Sequence, residues 1–231
     1  MNVNILRKFK SKAVIITAVL IGAPGAALCV RDISPVERKE ITHESFEALL
    51  SEKMDRIKDL SFRFRQDTVV AGSTQTVEAG VRFRRPDSVR VTYSSPQEQD
   101  IFLHGGSLYT YIPRIRQATK HSREDASDIL GVASSVILST GSISRLKRDY
   151  EVSIYQQGET FFLEAVPRKG MNYDLLVIEF PAATLLPQRT TVTAEHLKSV
   201  TEFSGYVINE GLDEEVFKFE PPRGTRIIEL D

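Results

Sequence analysis

The stretch Val77–Tyr93, VEAGVRFRRPDSVRVTY, constrains the fold of this chain more than any other. From Val77 to Phe83, apolar residues alternate with polar or small ones, which is the period-two pattern of a strand with one buried face. Pro86 ends this strand, and alternation resumes from Val89 to Tyr93. The sequence therefore predicts two successive strands that share an apolar face.

The same alternation carries Arg85 onto the apolar side of the first strand, two residues past Phe83. A buried or cavity-facing arginine must find hydrogen-bond acceptors, because an unpaired buried charge costs roughly several kcal/mol. In a second interpretation the side chain extends from the end of the strand into water. The sequence leaves both interpretations open.

Short alternating segments separated by turn residues follow over most of the chain. Gly105-Gly106 and Gln157-Gly158 each lie between two apolar segments, a pattern typical of hairpins, and Ala71-Gly72-Ser73 predicts a further turn. The remaining predicted strands are Leu175–Phe180, Thr190–Ala194, Val200–Ile208, Val216–Phe219 and Thr225–Leu230. We predict a single domain, mainly β with some α, built on a strongly curved antiparallel sheet of about ten or eleven strands that forms an incomplete half-barrel.

Two segments predict the helices that close this half-barrel. The first begins at Thr42, a good capping residue, and has apolar residues at three- and four-residue spacing: Phe46, Leu49, Leu50, Met54, Ile57 and Leu60. The second, Ser122–Gly141, is rich in apolar residues but contains glycine and serine, which lower helix propensity. It is either a movable lid over a hydrophobic cavity or a permanently packed helix. The side chains predicted to form the lid are Ile129, Leu130, Val132, Val136 and Ile137.

The N-terminus has the features of an export signal. An uncharged segment, residues 13–30, follows four basic residues, Arg7, Lys8, Lys10 and Lys12. We predict a signal peptide over residues 1–29, cut after Ala27 or Cys29, and a polar lead-in over residues 30–41. One alternative is an uncleaved membrane anchor. In another, Cys29 is the lipidated first residue of a lipoprotein.

Charge and motif content narrow the class of function. The chain has 30 basic and 31 acidic residues, and loss of the predicted signal peptide removes only basic ones. The resulting acidic excess argues against nucleic acid or an anionic lipid surface as partner. The sequence has no metal-ligand spacing among its histidines, no G-x-S-x-G motif and no nucleotide-binding glycine loop. We therefore predict a protein that is not an enzyme and uses no cofactor or metal, and we expect a monomer.

Three short motifs occur in order along the chain. They are F-R-Q at Phe64–Gln66, E-A-G-V-R-F-R-R-P at Glu78–Pro86 and F-K-F-E-P-P-R-G at Phe217–Gly224. Together they resemble the LolA family of periplasmic outer-membrane lipoprotein carriers over roughly Glu44–Glu229. The chain departs from the family in having no tryptophan, so phenylalanine and tyrosine must fill the inner face.

The resemblance implies a lipoprotein-carrier half-barrel over residues 42–231, with a lid at about 122–141 above a lipid-binding cavity. It also implies that Arg85 is a latch that holds the lid by hydrogen bonds to its backbone carbonyls. The side chains predicted to line the cavity are Met54, Ile57, Phe62, Phe64, Val81, Phe83, Val89, Val91, Tyr93, Phe102, Tyr109 and Tyr111.

The function implied by the resemblance is that of a soluble periplasmic chaperone. It would shield the acyl chains of lipoproteins, ferry them from the inner to the outer membrane and hand them over by a difference in affinity. The implied partners are acylated lipoproteins as cargo, an inner-membrane lipoprotein-releasing ABC transporter complex and an outer-membrane acceptor.

Three alternatives keep the fold and change the function. In the first alternative the chain is a membrane-anchored acceptor or envelope lipoprotein lipidated at Cys29. In the second it is an envelope lipid sensor, and in the third a lipid hydrolase. A hydrolase would need a nucleophile–base pair lining the cavity. The basic stretch Arg145–Asp149, which joins the predicted lid to the sheet, either contacts an acidic partner or is solvated.

Overall fold

A computed structural model describes residues 37–122, 143–168 and 173–230 of the chain. Within these ranges one large, open, curved sheet contains thirteen strands. The strands are β1 (Arg38–Glu40), β2 (Asp59–Val70), β3 (Ser73–Arg84), β4 (Ser88–Ser95), β5 (Gln99–His104), β6 (Ser107–Ile112), β7 (Gln117–His121), β8 (Tyr150–Gln157), β9 (Thr160–Pro167), β10 (Leu175–Pro181), β11 (Arg189–Ala194), β12 (Leu197–Ile208) and β13 (Arg226–Glu229).

The helices of the described ranges are few and short. They are α1 (His43–Asp55), α2 (Ile143–Asp149) and two 3-10 turns, Pro113–Ile115 and Glu214–Phe217. None of them has the length and apolar character needed to cross a bilayer. The predicted fold class, mainly β with one curved sheet, is confirmed. The predicted signal peptide and most of the predicted lid lie outside the described residues.

The spatial order of the strands is β1-β8-β9-β10-β11-β12-β2-β3-β4-β5-β6-β7-β13. The chain therefore builds one half of the sheet from β2 to β7 and the other from β8 to β12. The two halves meet where β12 pairs antiparallel with β2, with Phe203 opposite Phe64. Residues more than 130 positions apart thus become neighbours at the centre of the sheet.

The predicted hairpins form where glycine allows a left-handed backbone. Gly105 and Gly106 have φ of 57° and 79°, and His104 pairs with Ser107 across this two-residue loop. Two consecutive positive φ values give the turn whose twist matches that of the flanking strands. The structure has strands within three residues of the predicted ends at Leu175–Phe180, Thr190–Ala194, Val200–Ile208 and Thr225–Leu230, whereas β3 begins four residues before Val77. One predicted strand is an exception.

The exception is Val216–Phe219, for which the predicted strand is wrong. Glu214–Phe217 is a 3-10 turn, begun by Asp213, whose side chain accepts a hydrogen bond of 2.9 Å from the Glu215 N–H. An aspartate followed by two glutamates favours the start of a helical turn, where acidic side chains meet free backbone N–H groups. Phe217 is fully buried beneath this turn.

Two strands were not predicted, and they lie at or next to the edges of the sheet. β1 is the edge strand beside β8. β7 pairs with β6 on one side and with β13 on the other, and the β7–β13 pair is parallel. The segments of β1 and β7, RKE and QATKH, contain no run of alternating apolar residues, so neither segment predicts a strand.

α1 begins where it was predicted to begin and ends five residues before Leu60, the last residue of the predicted stripe. The Thr42 hydroxyl accepts a hydrogen bond of 3.2 Å from the Ser45 N–H, as expected of a capping residue. The helix stops at Asp55, so Leu60 of the predicted helical stripe belongs to β2 instead. Leu49 is 42% exposed. The buried face of α1 consists of Phe46, Leu50 and Met54.

The sheet buries one of its faces, which we call the core face, against α1. Met54 packs into a cluster formed by β2 to β5, while Phe46 and Leu50 pack into a second cluster formed by β8 to β10. A single helix of 13 residues therefore lies over both halves of the sheet. We call the opposite face of the sheet the outer face.

Candidate functional site

The core face of β2 to β5 forms one continuous apolar surface. Seven of the twelve side chains predicted to line a cavity belong to it, and Met54 of α1 and Ile57, just after α1, pack against it. The seven are Phe62, Phe64, Val81, Phe83, Val89, Val91 and Tyr93. The pairing explains their contact, since Phe62 lies opposite Val81, and Val81 opposite Val91, across neighbouring strands. Directly opposed residues project to the same side of a sheet.

Aromatic rings fill the centre of this surface in place of tryptophan. The ring centroid of Phe62 lies 5.3 Å from that of Tyr206 and 6.1 Å from that of Phe203. Burial raises the pKa of Tyr206, whose hydroxyl donates a hydrogen bond of 2.6 Å to the Pro187 carbonyl. Burial also raises the pKa of Tyr93. Both tyrosines therefore enter the apolar layer in their neutral form.

The other three side chains of the predicted lining lie on the outer face. Phe102, Tyr109 and Tyr111 surround the ring of Phe219, with centroid distances of 5.2, 5.2 and 5.5 Å. Around Phe102 the residues Ile101 to Leu103 are all apolar, so no alternation marks which of them faces the core. The structure buries both faces of β5 because the segment that carries Phe219 covers its outer face.

Arg85 lies one residue beyond the end of β3, and its side chain turns onto the end of α1. Its Nε donates a hydrogen bond to the carbonyl oxygen of Ile57, and its Nη2 donates one to that of Met54, both at 2.8 Å. The last carbonyls of a helix lack partners within the helix, and the helix dipole favours a cation there. Arg85 therefore ties the end of α1 to the end of β3.

These hydrogen bonds bear on both interpretations of Arg85. The guanidinium lies on the side of the sheet that α1 covers, as alternation predicts, but its side chain remains 40% exposed. Its acceptors are the carbonyl of Met54, in the last turn of α1, and that of Ile57, two residues beyond the helix. A contact between Arg85 and the predicted lid remains a prediction, because residues 123–142, which include all five of the predicted lid side chains, lie outside the described ranges.

Asn209, which was not predicted as a site residue, is hydrogen-bonded to the backbone just after α1, about 150 residues away in the chain. Its Oδ1 accepts a hydrogen bond of 2.7 Å from the Lys58 N–H, and its Nδ2 donates one of 2.9 Å to the Arg56 carbonyl. The residue has a φ of 57°, a conformation that asparagine tolerates better than most residues. The only sequence signal is an asparagine just before Glu210-Gly211 at a strand end, which is typical of a turn.

The basic stretch Arg145–Asp149 lies entirely within α2. The Lys147 ammonium lies 3.9 Å from the Glu44 carboxylate in the first turn of α1, whereas Arg148 is exposed. Leu146 packs against the second apolar cluster. α2 therefore packs against the second apolar cluster through Leu146 and contacts α1 through Lys147.

A curved sheet with a continuous apolar face under a short helix defines an open-sheet protein whose two main apolar clusters lie on the face that the helix covers. The chain belongs to the family described as "Outer membrane lipoprotein carrier protein LolA", whose model matches residues 55–220. The resemblance drawn from the three motifs is thereby confirmed.

Individual relatives agree with this assignment. An outer-membrane lipoprotein carrier protein of Nitrosospira multiformis is 28% identical over 193 residues, which cover 81% of this chain and 90% of the relative. One from Coxiella burnetii is 24% identical over 184 residues, or 78% of this chain and 84% of the relative. An uncharacterized conserved protein from Thermus thermophilus, of known crystal structure, has the same fold with a TM-score of 0.55 and 10% identity, covering 81% of this chain and 99% of its own.

Proposed function

We propose that this protein is a soluble periplasmic chaperone that shields the acyl chains of lipoproteins against the core face of its sheet. It carries them from the inner to the outer membrane, and it is not an enzyme. The proposed partners are acylated lipoproteins as cargo, an inner-membrane releasing complex that loads the carrier and an outer-membrane acceptor that empties it. Family membership and the names of the relatives support this proposal.

The observation that carries the proposal is the continuous apolar surface of β2 to β5 beneath α1. Each methylene of an acyl chain gains about 0.8 kcal/mol when it leaves water. A lipoprotein with two or three acyl chains therefore cannot cross an aqueous compartment unshielded. A sheet with one wide apolar face, covered by an element that can be displaced, provides the shielding surface.

α1 is the covering element that acyl chains would displace. Its three buried side chains, Phe46, Leu50 and Met54, together stabilise its attachment by roughly 5–9 kcal/mol. The two hydrogen bonds from Arg85 add about 2 kcal/mol after allowance for solvent screening. A single acyl chain of about fifteen methylenes offers roughly 12 kcal/mol. Cargo can therefore replace α1 on the sheet, and α1 can return once an acceptor with higher affinity takes the cargo.

A hydrolase is disfavoured by the position of a serine–histidine pair. The Ser88 hydroxyl lies 2.8 Å from Nδ1 of His104, whose Nε2 is 3.3 Å from the Glu214 carboxylate. This group lies on the outer face, on the far side of the sheet from the apolar surface. Ser88 is also only 5% exposed, so an acyl ester bound at the core face cannot reach its hydroxyl.

The test is intact mass spectrometry of the protein purified from native envelope extract without denaturant. We expect an unmodified N-terminus and a co-purifying acylated lipoprotein. A diacylglyceryl group on Cys29 would instead favour an anchored acceptor. Absence of bound lipoprotein, together with failure of the purified protein to take up a dipalmitoyl lipopeptide, would refute the carrier function.

The proposed role of Arg85 in unloading has its own test. Arg85→Leu weakens the return of α1, so the variant should bind the lipopeptide at least as well as the native protein and release it to acceptor more slowly. Arg84→Leu is the matched control, because Arg84 lies next in the chain, is similarly exposed at 38%, and has its Nη1 3.7 Å from Glu214 on the outer face. If Arg85→Leu releases the lipopeptide at the native rate, Arg85 does not act as a latch.

A further inference from the structure

A groove of about 1240 Å³ lies on the outer face, away from the apolar surface proposed to hold cargo. It crosses β12, β2, β3 and β4 and is bounded on one side by the segment 209–217. Its lining includes Arg63 and Arg82 on the sheet and Leu212 and Val216 on the bounding segment. Neighbouring strands are about 4.8 Å apart, so the groove spans roughly 14 Å, which is the length of about four extended residues.

The floor of the groove is the backbone of Gly80, in the interior of β3. A Cβ atom built at Gly80 would meet no atom within 4 Å, so the space above this residue is open. Arg63 is its partner on β2 and Thr92 its partner on β4. Glycine weakens the interior of a strand, and such a position often marks the close approach of a ligand or of another backbone.

The arginines of the groove differ in their partners. Arg65 is neutralised by Glu78 at 2.7 Å and by Asp67 at 3.1 Å. In contrast, neither Arg63 nor Arg82 forms an ion pair or a side-chain hydrogen bond within residues 37–122, 143–168 and 173–230. The chain as a whole has a formal charge of −1. Arg63 and Arg82 are therefore exposed guanidinium groups without a carboxylate partner among the described residues, in a groove that Glu78 and Glu210 also line, on a protein with no excess of positive charge.

The spacing of these two arginines suggests the shape of their ligand. Arg63 pairs with Gly80, and Arg82 is two residues further along β3, so the two are diagonal neighbours with Cα atoms about 7–8 Å apart. Alternate side chains of an extended peptide lie on one side and are about 7 Å apart. Two carboxylates at positions i and i+2 therefore match the two guanidinium groups, each of which can bind a carboxylate through two N–H donors.

We propose that this groove binds a short, extended acidic segment of a partner protein. Carboxylates at alternate positions pair with Arg63 and Arg82, the peptide backbone lies over Gly80, and aliphatic side chains contact Leu212 and Val216. A phosphate headgroup is a poorer match, because one phosphate cannot span both arginines and the acidic chain is repelled by an anionic bilayer. The groove is on the other face from the proposed cargo surface, so a partner can bind the loaded and the empty carrier alike.

The probe is a fluorescein-labelled octapeptide of alternating glutamate and valine with blocked ends, and its binding is measured by fluorescence anisotropy. We expect the double variant Arg63→Gln with Arg82→Gln to bind about tenfold more weakly, the effect of losing two exposed charge pairs. The matched control is Arg114→Gln with Arg223→Gln, which removes the same charge from exposed positions outside the groove. This control should bind the peptide as the native protein does.

Gly80→Val provides an independent variant. Its side chain would stand in open space and valine favours strands, so the melting temperature should not fall while peptide binding is lost. Equal weakening by both double variants would show non-specific attraction and overturn the proposal. Failure of the native protein to bind the peptide would also overturn the proposal. The same holds if binding of phosphatidylglycerol vesicles depends on Arg63 and Arg82 while binding of the peptide does not. Uptake of lipopeptide is unaffected in each case, which separates this proposal from the carrier function.

Discussion

Arg85→Leu should loosen the end of α1 without unfolding the sheet. The substitution removes two hydrogen bonds of 2.8 Å to the Met54 and Ile57 carbonyls. Hydrogen bonds from a charged donor contribute roughly 1.5–3 kcal/mol each when buried. Because the Arg85 side chain is 40% exposed, about 1 kcal/mol each is the appropriate magnitude. The loss of about 2 kcal/mol raises the population of detached α1 roughly thirtyfold.

Hydrogen exchange measured residue by residue checks this value. Amides near Leu50 and Met54 should exchange roughly thirtyfold faster in Arg85→Leu, while amides at the centre of β3, such as that of Val81, keep their protection. Arg84→Leu should leave exchange in α1 unchanged. Unchanged exchange in Arg85→Leu, or equal acceleration in Arg84→Leu, would refute the assignment of Arg85 to the end of α1.

Three further predictions concern stability, measured by denaturant unfolding. Phe62→Ala should destabilise the protein by about 3–5 kcal/mol, because Phe62 is 2% exposed at the centre of the core face; a loss below 1 kcal/mol would mean that the face is loosely packed. Asn209→Ala should lower the free energy of unfolding by about 2–3 kcal/mol, because it removes the hydrogen bonds to Arg56 and Lys58. Asn209→Gly should lower it less, since glycine adopts the φ of 57° without strain. Equal losses in the two variants would refute the argument from backbone conformation. Burial and then a hydrogen bond to Glu164 raise the pKa of Tyr155 to about 12 from an ordinary value of 10.0. The unfolded chain ionises first, so this contribution to stability is complete below pH 10 and is lost towards pH 12. Tyr155→Phe should therefore lose less of its free energy of unfolding over this pH range. An unchanged pH dependence of the free energy of unfolding would contradict the prediction.

Local patterns predicted most of the strands because the information lies within a few residues. Gly105-Gly106 specifies its own turn, since both residues adopt a positive φ at little cost. Alternation from Val77 to Phe83 specifies which side chains share a face, because every second residue of a strand projects to the same side. Where alternation is absent, as at Ile101 to Leu103, the pattern does not show which side chains face the core.

The site was predicted unevenly for the same reason. Alternation along the strands brought together seven apolar side chains of the core face, and helical spacing added Met54 and Ile57. Alternation also predicted Arg85 on the side of the sheet that α1 covers. It could not identify the acceptors of Arg85, because the carbonyls of Met54 and Ile57 lie about thirty residues away in the chain. Nor could it identify Asn209, whose partners are about 150 residues distant.

The sequence by itself determined most of the strands, their turns, the apolar face and, through three short motifs, the family. Each of these depends on neighbouring residues or on a pattern that survives without coordinates. Only the tertiary structure decided that β12 joins β2, that β13 lies parallel to β7, and that Phe219 covers the outer face of β5. These contacts join distant segments, and their free energy arises only when the sheet has brought both partners to the same place.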